Sequence, residues 1–323
     1  MGVKYFYRKM VGLLLKQIPR KIMANTVKKN QTKNKLVIAI SSRALFNLDE
    51  SHKIFKEQGV EAYAKHQEEN EEVVLQPGVG FSLVKKLLAL NTTKNLIDVI
   101  LLSRNSADTG LRIFNSIEHY GLNISKAAFT RGESTHNLVG AFEADLFLSS
   151  NYQDVQKALE SGFAAASIIG SSSQESHETQ LRIAFDGDAV IFSDESERIF
   201  QEKGLEAFAE NEKNSANIAL KAGPFKCFLM SLQKIQSAFP AANNPIRTAL
   251  VTARSAPSHK RVIHTMRQWG IRIDESFFLG GLDKGIFLKE FGADIFFDDQ
   301  HQHCQSASQY VSTGHVPNGI SNQ

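Results

Sequence analysis

Large parts of this chain are written twice. Ala44-Leu45-Phe46, Asp49-Glu50-Ser51 and Ile54-Phe55 return as Ala189-Val190-Ile191, Asp194-Glu195-Ser196 and Ile199-Phe200. Gly59-Val60-Glu61-Ala62-Tyr63-Ala64 returns as Gly204-Leu205-Glu206-Ala207-Phe208-Ala209, and Phe142-Glu143-Ala144-Asp145-Leu146-Phe147 as Phe291-Gly292-Ala293-Asp294-Ile295-Phe296. Ser106-Ala107 likewise answers Ser255-Ala256, and Tyr120-Gly121 answers Trp269-Gly270. The offset drifts only from 145 to 149 positions. A period of that length marks a duplicated domain-sized unit, whereas stacked solenoid repeats are several times shorter. The fold must therefore be one that 323 residues can build twice.

Each copy reads strand, helical stretch, strand, helix, strand. In the second copy the pattern predicts helices over residues 195–211 and 224–239, the latter carrying Phe225, Phe228, Leu229, Leu232 and Ile235 at helical spacing. Pro240 ends that helix, since proline has no N–H to donate. Another helix is expected from Pro257 to about Trp269, with Gly270 beyond its end. Strands alternating with helices predict an α/β fold, two tandem related doubly wound units with parallel sheets. The expected divisions are a basic arm over residues 1–34, a first unit over 35–172 and a second over 173–323, with the junction near Ser171-Ser172-Ser173. The span between the first and second strands of the second unit is too short for a large insertion, so a small helical cap is expected over about 192–246.

The copies differ most where they matter chemically. In the second, the apolar run Leu181-Arg182-Ile183-Ala184-Phe185 stops at Asp186-Gly187-Asp188, and Ile295-Phe296-Phe297 stops at Asp298-Asp299. The first copy has Ser41-Ser42-Arg43 and Ser149-Ser150 at those places. Unpaired carboxylates at the ends of buried strands cost several kcal/mol each, and in open parallel sheets functional groups gather beyond the strands' carboxyl ends. The first copy is thus expected to fold like the second without holding the same cation, in a structural or allosteric role. Arg43, at the position of Asp188, is a candidate to bind an anion there.

The net charge of +3 hides an uneven distribution: ten Lys or Arg and no acid lie between Met1 and Lys35, which leaves the remainder net acidic. The arm is read as disordered and outside the folded body, with contact to an anionic surface or a translation start at Met23 as the other readings. An acidic body without a recognisable module argues against nucleic acid as a partner. The apolar stretch from Met10 to Leu15 is too short to span a bilayer. Two distant cysteines, Cys227 and Cys304, suggest no disulfide framework and point to a cytoplasmic location.

The strand-end clusters suit phosphoryl chemistry. Asp186 can attack phosphorus as a nucleophile if its charge is offset, and Asp188, two residues on, can give a proton to a leaving alkoxide and later activate water. Mg²⁺ favours hard oxygen ligands of the kind Asp186, Asp188, Asp298 and Asp299 offer. Thr252 ends a strand with a hydroxyl suited to a phosphoryl oxygen, and Lys284, in Gly280-Gly281-Leu282-Asp283-Lys284-Gly285, can offset negative charge. His301, His303 and Cys304 lack a partner cluster for zinc and are read as solvated helix positions.

The order acid pair, Thr, Lys, acid pair resembles the four motifs of the haloacid dehalogenase superfamily. That resemblance implies Asp186 as nucleophile, Asp188 as acid/base, Thr252 and Lys284 as phosphate stabilisers, and Asp298 or Asp299 on the Mg²⁺ side. A closer resemblance covers nearly the whole body. Residues 185–195, Gly223-Pro224-Phe225-Lys226, Leu250-Val251-Thr252-Ala253-Arg254-Ser255-Ala256-Pro257, residues 278–285 and Phe296-Phe297-Asp298-Asp299-Gln300 are similar to the cytosolic 5′-nucleotidase type I family. The resemblance implies Mg²⁺-dependent hydrolysis of nucleoside 5′-monophosphates, AMP favoured. It leaves out the arm.

For substrate recognition, Phe208 or Phe225 is expected to stack on the base, and Lys226, Arg254 or Ser255 to meet the ribose or phosphate. A homo-oligomer is compatible with the sequence. Two other readings stand beside the nucleotidase: a phosphatase of the same mechanism acting on another small phosphometabolite, and a non-catalytic nucleotide-binding protein.

Overall fold

The computed structural model describes residues 35–92, 94–170, 180–255 and 258–323. The basic arm, the expected junction at Ser171-Ser172-Ser173, and Pro257 fall outside the described residues. Among the described residues there are ten strands: β1 (Leu36–Ser41), β2 (Ile97–Ser103), β3 (Lys126–Phe129), β4 (Leu146–Ser149), β5 (Ala165–Ile169), β6 (Leu181–Phe185), β7 (Ile246–Thr252), β8 (Glu275–Phe278), β9 (Ile295–Asp298) and β10 (Thr313–His315). They form one sheet in the order β3-β2-β1-β4-β5-β10-β9-β6-β7-β8. Every neighbouring pair is parallel except β5 and β10, which run antiparallel with Thr313 opposite Ile169 and His315 opposite Ser167. The protein is thus an α/β structure on a mixed, largely parallel sheet.

Among the described residues there are ten helices: α1 (Asp49–Glu69), α2 (Phe81–Ala89), α3 (Leu111–His119), α4 (His136–Ala141), α5 (Tyr152–Glu160), α6 (Glu195–Asn214), α7 (Lys226–Ser237), α8 (His259–Trp269), α9 (Gly285–Phe291) and α10 (His301–Ala307), besides single turns such as Ser42–Leu45. Because strand side chains alternate between faces, Leu36, Ile38 and Ile40 of β1 join one core while Val37 and Ala39 join another. The first core runs under both halves of the sheet and takes in α2, α3, α7 and α8 through Val84, Ile113, Phe228 and Val262. The opposite face carries two smaller cores, one with Val139 and Val155, the other with Leu288 and Phe291. Strands covered on both faces explain why β1, β6 and β9 read as nearly unbroken apolar runs.

The helices predicted in the second half are present, with sharper ends. The expected helix over 195–211 extends to Asn214 and bends at Gly204, where φ is +82°; α1 bends in the same way at Gly59, φ +88°. The expected helix over 224–239 is α7, and Gly270 caps α8 in a left-handed conformation. Within the span expected as a cap, α7 instead packs its Phe228, Leu229, Leu232 and Ile235 into the core beneath the sheet. Its apolar face is too wide to stand over a polar site. None of the helices in the described residues is long and apolar enough to cross a membrane.

Candidate active site

β6 and β9 are hydrogen-bonded neighbours, so their carboxyl ends deliver Asp186 and Asp298-Asp299 to one place. Asp186 is 6% exposed and its N–H donates to the Phe297 carbonyl at 2.7 Å. Asp298 and Asp299 are fully buried. One oxygen from each of Asp186, Asp298 and Asp299 lies within 4.8 Å of the others, the only grouping among the described residues with the ligand types and spacing for a metal ion. Into this cluster Lys284, at the start of α9 and 5% exposed, sends its ammonium to 2.9 Å from Asp186 Oδ1 and 2.7 Å from Asp298 Oδ2.

One lysine does not balance three buried acids. Burial pushes Asp299 up to about 10, with Asp298, Asp186 and Glu197 adding repulsion. Burial likewise raises Asp186 to about 7, although Lys284 pulls the other way. For Asp298 burial acts upward too, but Lys284 and His303 outweigh it and bring the carboxyl down to about 2. Lys284 itself is raised despite its burial, because Asp186 and Asp298 favour the ammonium. Both carboxylate oxygens of Asp299 are buried without a hydrogen-bond partner among the described residues. Orphaned buried acceptors beside two further carboxylates fit a divalent cation with hard oxygen ligands. Asp186, Asp298 and Asp299 would hold it.

Thr252 closes β7 and adjoins this cluster, since a Cβ at Gly187 would stand 3.4 Å from its Oγ1. Asp188 sits one step outward and is engaged by Arg254, whose Nε and Nη2 donate to its two oxygens at 2.7 Å each. The same guanidinium donates to Glu212 Oε2 at 2.6 Å, and Arg261 donates to Glu212 Oε1 at 2.8 Å and to Glu195 Oε1 at 2.9 Å. The Phe208 ring of α6 lies 5.6 Å from the Arg254 guanidinium carbon. This chain of ion pairs ties α6 to the loop after β7, with Arg254 3% and Glu212 0% exposed at their side chains.

Other expected contacts are not in the cluster. Phe225 is fully buried, with its ring 4.9 Å from that of Phe297 and 6.0 Å from that of Phe228, so no face is free to stack on a base. Its helical spacing reflected core packing. Lys226 places its ammonium 4.3 Å above the Trp269 ring, a contact with α8. Ser255 is exposed on the loop after β7. The reading of His303 and Cys304 as solvated positions needs correction: Cys304 is fully buried with its thiol 3.5 Å from the Asp298 carbonyl, and His303 Nδ1 lies 3.3 Å from Asp298 Oδ2.

Glu195, Glu197, Glu212 and Arg261 were not singled out by the sequence reading. For Glu212 a signal existed, because its counterpart at the same offset is the neutral Gln67, itself 2% exposed. At the first half's corresponding strand ends the polar groups pair with one another. Ser42 and Ser103 share a hydrogen bond of 3.0 Å, and Arg104 binds both oxygens of the buried Asp154 at 3.0 and 2.6 Å. Arg43 is 3.6 Å from Asp49.

A family model described as 5′-nucleotidase matches residues 28–323. The chain is 40% identical over 294 residues to the human protein named cytosolic 5′-nucleotidase 1B, covering 87% of this chain and 48% of that one. It spans about half the length of the curated relative it matches. Among solved structures, histidinol dehydrogenase from Elizabethkingia anophelis matches with a TM-score of 0.22 and 9% identity, over 87% of this chain and 52% of the other, a likeness too slight to bear on fold or function.

Proposed function

Since this chain belongs to the cytosolic 5′-nucleotidase type I family, we propose that it hydrolyses nucleoside 5′-monophosphates, AMP favoured, by a Mg²⁺-dependent haloacid dehalogenase-type mechanism. The observation that carries this reading is the convergence of Asp186, Asp298 and Asp299 around Lys284, which among the described residues occurs in the second half alone.

The positions of the side chains support the following steps. Asp186 attacks phosphorus and the bond to the 5′ oxygen breaks, leaving an aspartyl-phosphate; Asp188 gives the departing oxygen its proton. Asp188 then takes a proton from water, whose oxygen displaces phosphate from Asp186. Thr252 and a backbone N–H at the end of β7 hold a phosphoryl oxygen, and Lys284 offsets charge on nucleophile and phosphate. Asp186 with Asp298 or Asp299 would hold Mg²⁺, which would supply further charge neutralisation when bound. Arg254, clamped on Asp188 in the free protein, is transferred to the substrate's phosphate or ribose on binding, which frees Asp188 to carry a proton. Phe208, beside Arg254, is the aromatic that stacks on the base.

The first half is read as a degenerate tandem unit. The orders β3-β2-β1-β4-β5 and β8-β7-β6-β9-β10 correspond strand for strand, which supports duplication. The cap of the second unit is read as α6 and the chain up to Ala222, because α7 belongs to the core. A cytoplasmic location follows the relative's name.

The test is phosphate release from a panel of nucleoside monophosphates and unrelated phosphoesters, with Mg²⁺ and with a chelator. Nucleotides turning over only with Mg²⁺ is the expected outcome. Release from other phosphoesters but from no nucleotide would assign the same chemistry to another metabolite, and no release at all would leave a nucleotide-binding protein.

A further inference from the structure

The residues after β10 turn back over the loops that carry the acids. Val316 N–H donates to the Asp298 carbonyl at 2.9 Å, and Asn322 Nδ2 donates to the Asp299 carbonyl at 2.9 Å. Ser321 Oγ donates to Glu197 Oε1 on α6 at 2.6 Å. Asn318 Nδ2 donates to the Ala189 carbonyl at 2.7 Å. Gly319 lies directly against Ala189: a Cβ at position 319 would come within 2.7 Å of the Ala189 Cβ, and the glycine's own φ is +80°.

Ala189 is the residue next to Asp188, and its φ is +58°. Left-handed backbone is costly for a residue with a Cβ, and it persists where surrounding contacts over-determine it. In the first half the equivalent turn, Ser42–Leu45, is ordinary right-handed helix, and Arg43 stands where Asp188 would be. The strained turn is therefore present in the half that has the acids and absent from the half that has lost them.

We propose that Asn318 and Gly319 are positioning residues that hold Ala189 in its left-handed conformation and so aim Asp188 at the leaving oxygen. Asn318 fixes the direction of the peptide after Ala189 by capturing its carbonyl. Gly319 permits the close approach that any side chain would block. The inference rests on the reading of Asp188 as the proton donor, and it adds residues from the far end of the chain to the site.

General acid help matters for a poor leaving group such as a 5′ alkoxide and little for a phenolate that departs unaided. The comparison is therefore kcat/KM for AMP against kcat/KM for p-nitrophenyl phosphate, in the full chain, for wild type, Asn318→Ala and Asp188→Asn. Asn318→Ala should lower the AMP value by about tenfold or more and change the aryl phosphate value by less than about threefold. Equal losses on both substrates, or no loss on AMP, would overturn the positioning role, since a general loosening of the fold does not sense the leaving group. Asp188→Asn separates the two claims. If it lacks the leaving-group signature, the proton-donor reading is wrong; if it shows the signature and Asn318→Ala does not, only the positioning role is wrong. Should Asn318→Ala fail to fold, Gly319→Ala is read by the same ratio.

Discussion

Asp299 is an acid kept at a cost in stability. Its two oxygens are buried without hydrogen-bond partners among the described residues, beside Asp298 and Asp186, an arrangement that destabilises the cation-free fold. Asp299→Asn is therefore expected to melt no lower than wild type in a chelator. Wild type should gain about 2.7 kcal/mol from a divalent cation at a hundred times its dissociation constant, and the variant should lose most of that gain; thermal melts with and without Mg²⁺ check both. Asp154 in the first half is the opposite case. Burial pushes its carboxyl up, but hydrogen bonds from Arg104 and Ser134 outweigh this and hold it below the ordinary 3.8. A depressed carboxyl stabilises the fold above its unfolded pKa and loses that contribution as pH falls through its folded pKa, below about 4. Denaturant titrations should find Asp154→Asn about 1–2 kcal/mol less stable at pH 7, a cost kept small by the solvent exposure of Arg104, with the gap closing in acid. The acids at the strand ends were legible in the sequence because they interrupt apolar runs. Asn318 was not, because a carbonyl captured more than a hundred positions away leaves no local pattern.

At the level of elements, strand ends and helix ends followed from local chemistry, while the partners of each helix did not. Phe225 and α7 were expected near the substrate because they lie between two strand-end motifs in sequence. In space the run Phe228, Leu229, Leu232 and Ile235 buries against the sheet, and burial of that much apolar surface at about 25 cal/mol per Å² decides the matter. Gly59 and Gly204 were visible as matched residues, but their shared purpose is visible only in the backbone: φ is +88° and +82°, with ψ near 180°. That region is nearly exclusive to glycine. Among the described residues nothing stands within 4 Å of a Cβ at either position, so Gly59→Ala and Gly204→Ala should each cost about 1–3 kcal/mol through backbone strain alone. Equilibrium unfolding measures this. Gly204→Ala should also raise KM for AMP, because it redirects the part of α6 that carries Phe208.

Across the whole molecule, the sequence suggests two units and the structure joins them in one ten-stranded sheet through the antiparallel pair β5 and β10. The joint is reciprocal. Lys86 of α2 reaches forward to Asp294 at 2.7 Å, and Ser231 of α7 reaches back to Asp145 at 3.0 Å. Lys86 and Ser231 occupy equivalent positions, as do Asp145 and Asp294, whose other oxygens each accept a backbone N–H at 2.8 Å, from Val37 and Arg182. Self-comparison of the sequence identifies such pairs but cannot say that they cross between units. A piece containing residues 180–323 alone would expose the edge of β10 and the face of α7, so it should fail to give a cooperative melt, whereas the full chain should unfold in a single transition by calorimetry. The proposed activity requires that the half with the acids do the chemistry through Asp186. The most direct measurement is an acid-quenched reaction with a nucleoside monophosphate carrying a labelled phosphoryl group, followed by peptide mapping. Label on the peptide containing Asp186, absent in Asp186→Asn, is the predicted result; label on the Ser41-Ser42 peptide, or phosphate release undiminished in Asp186→Asn, would contradict it.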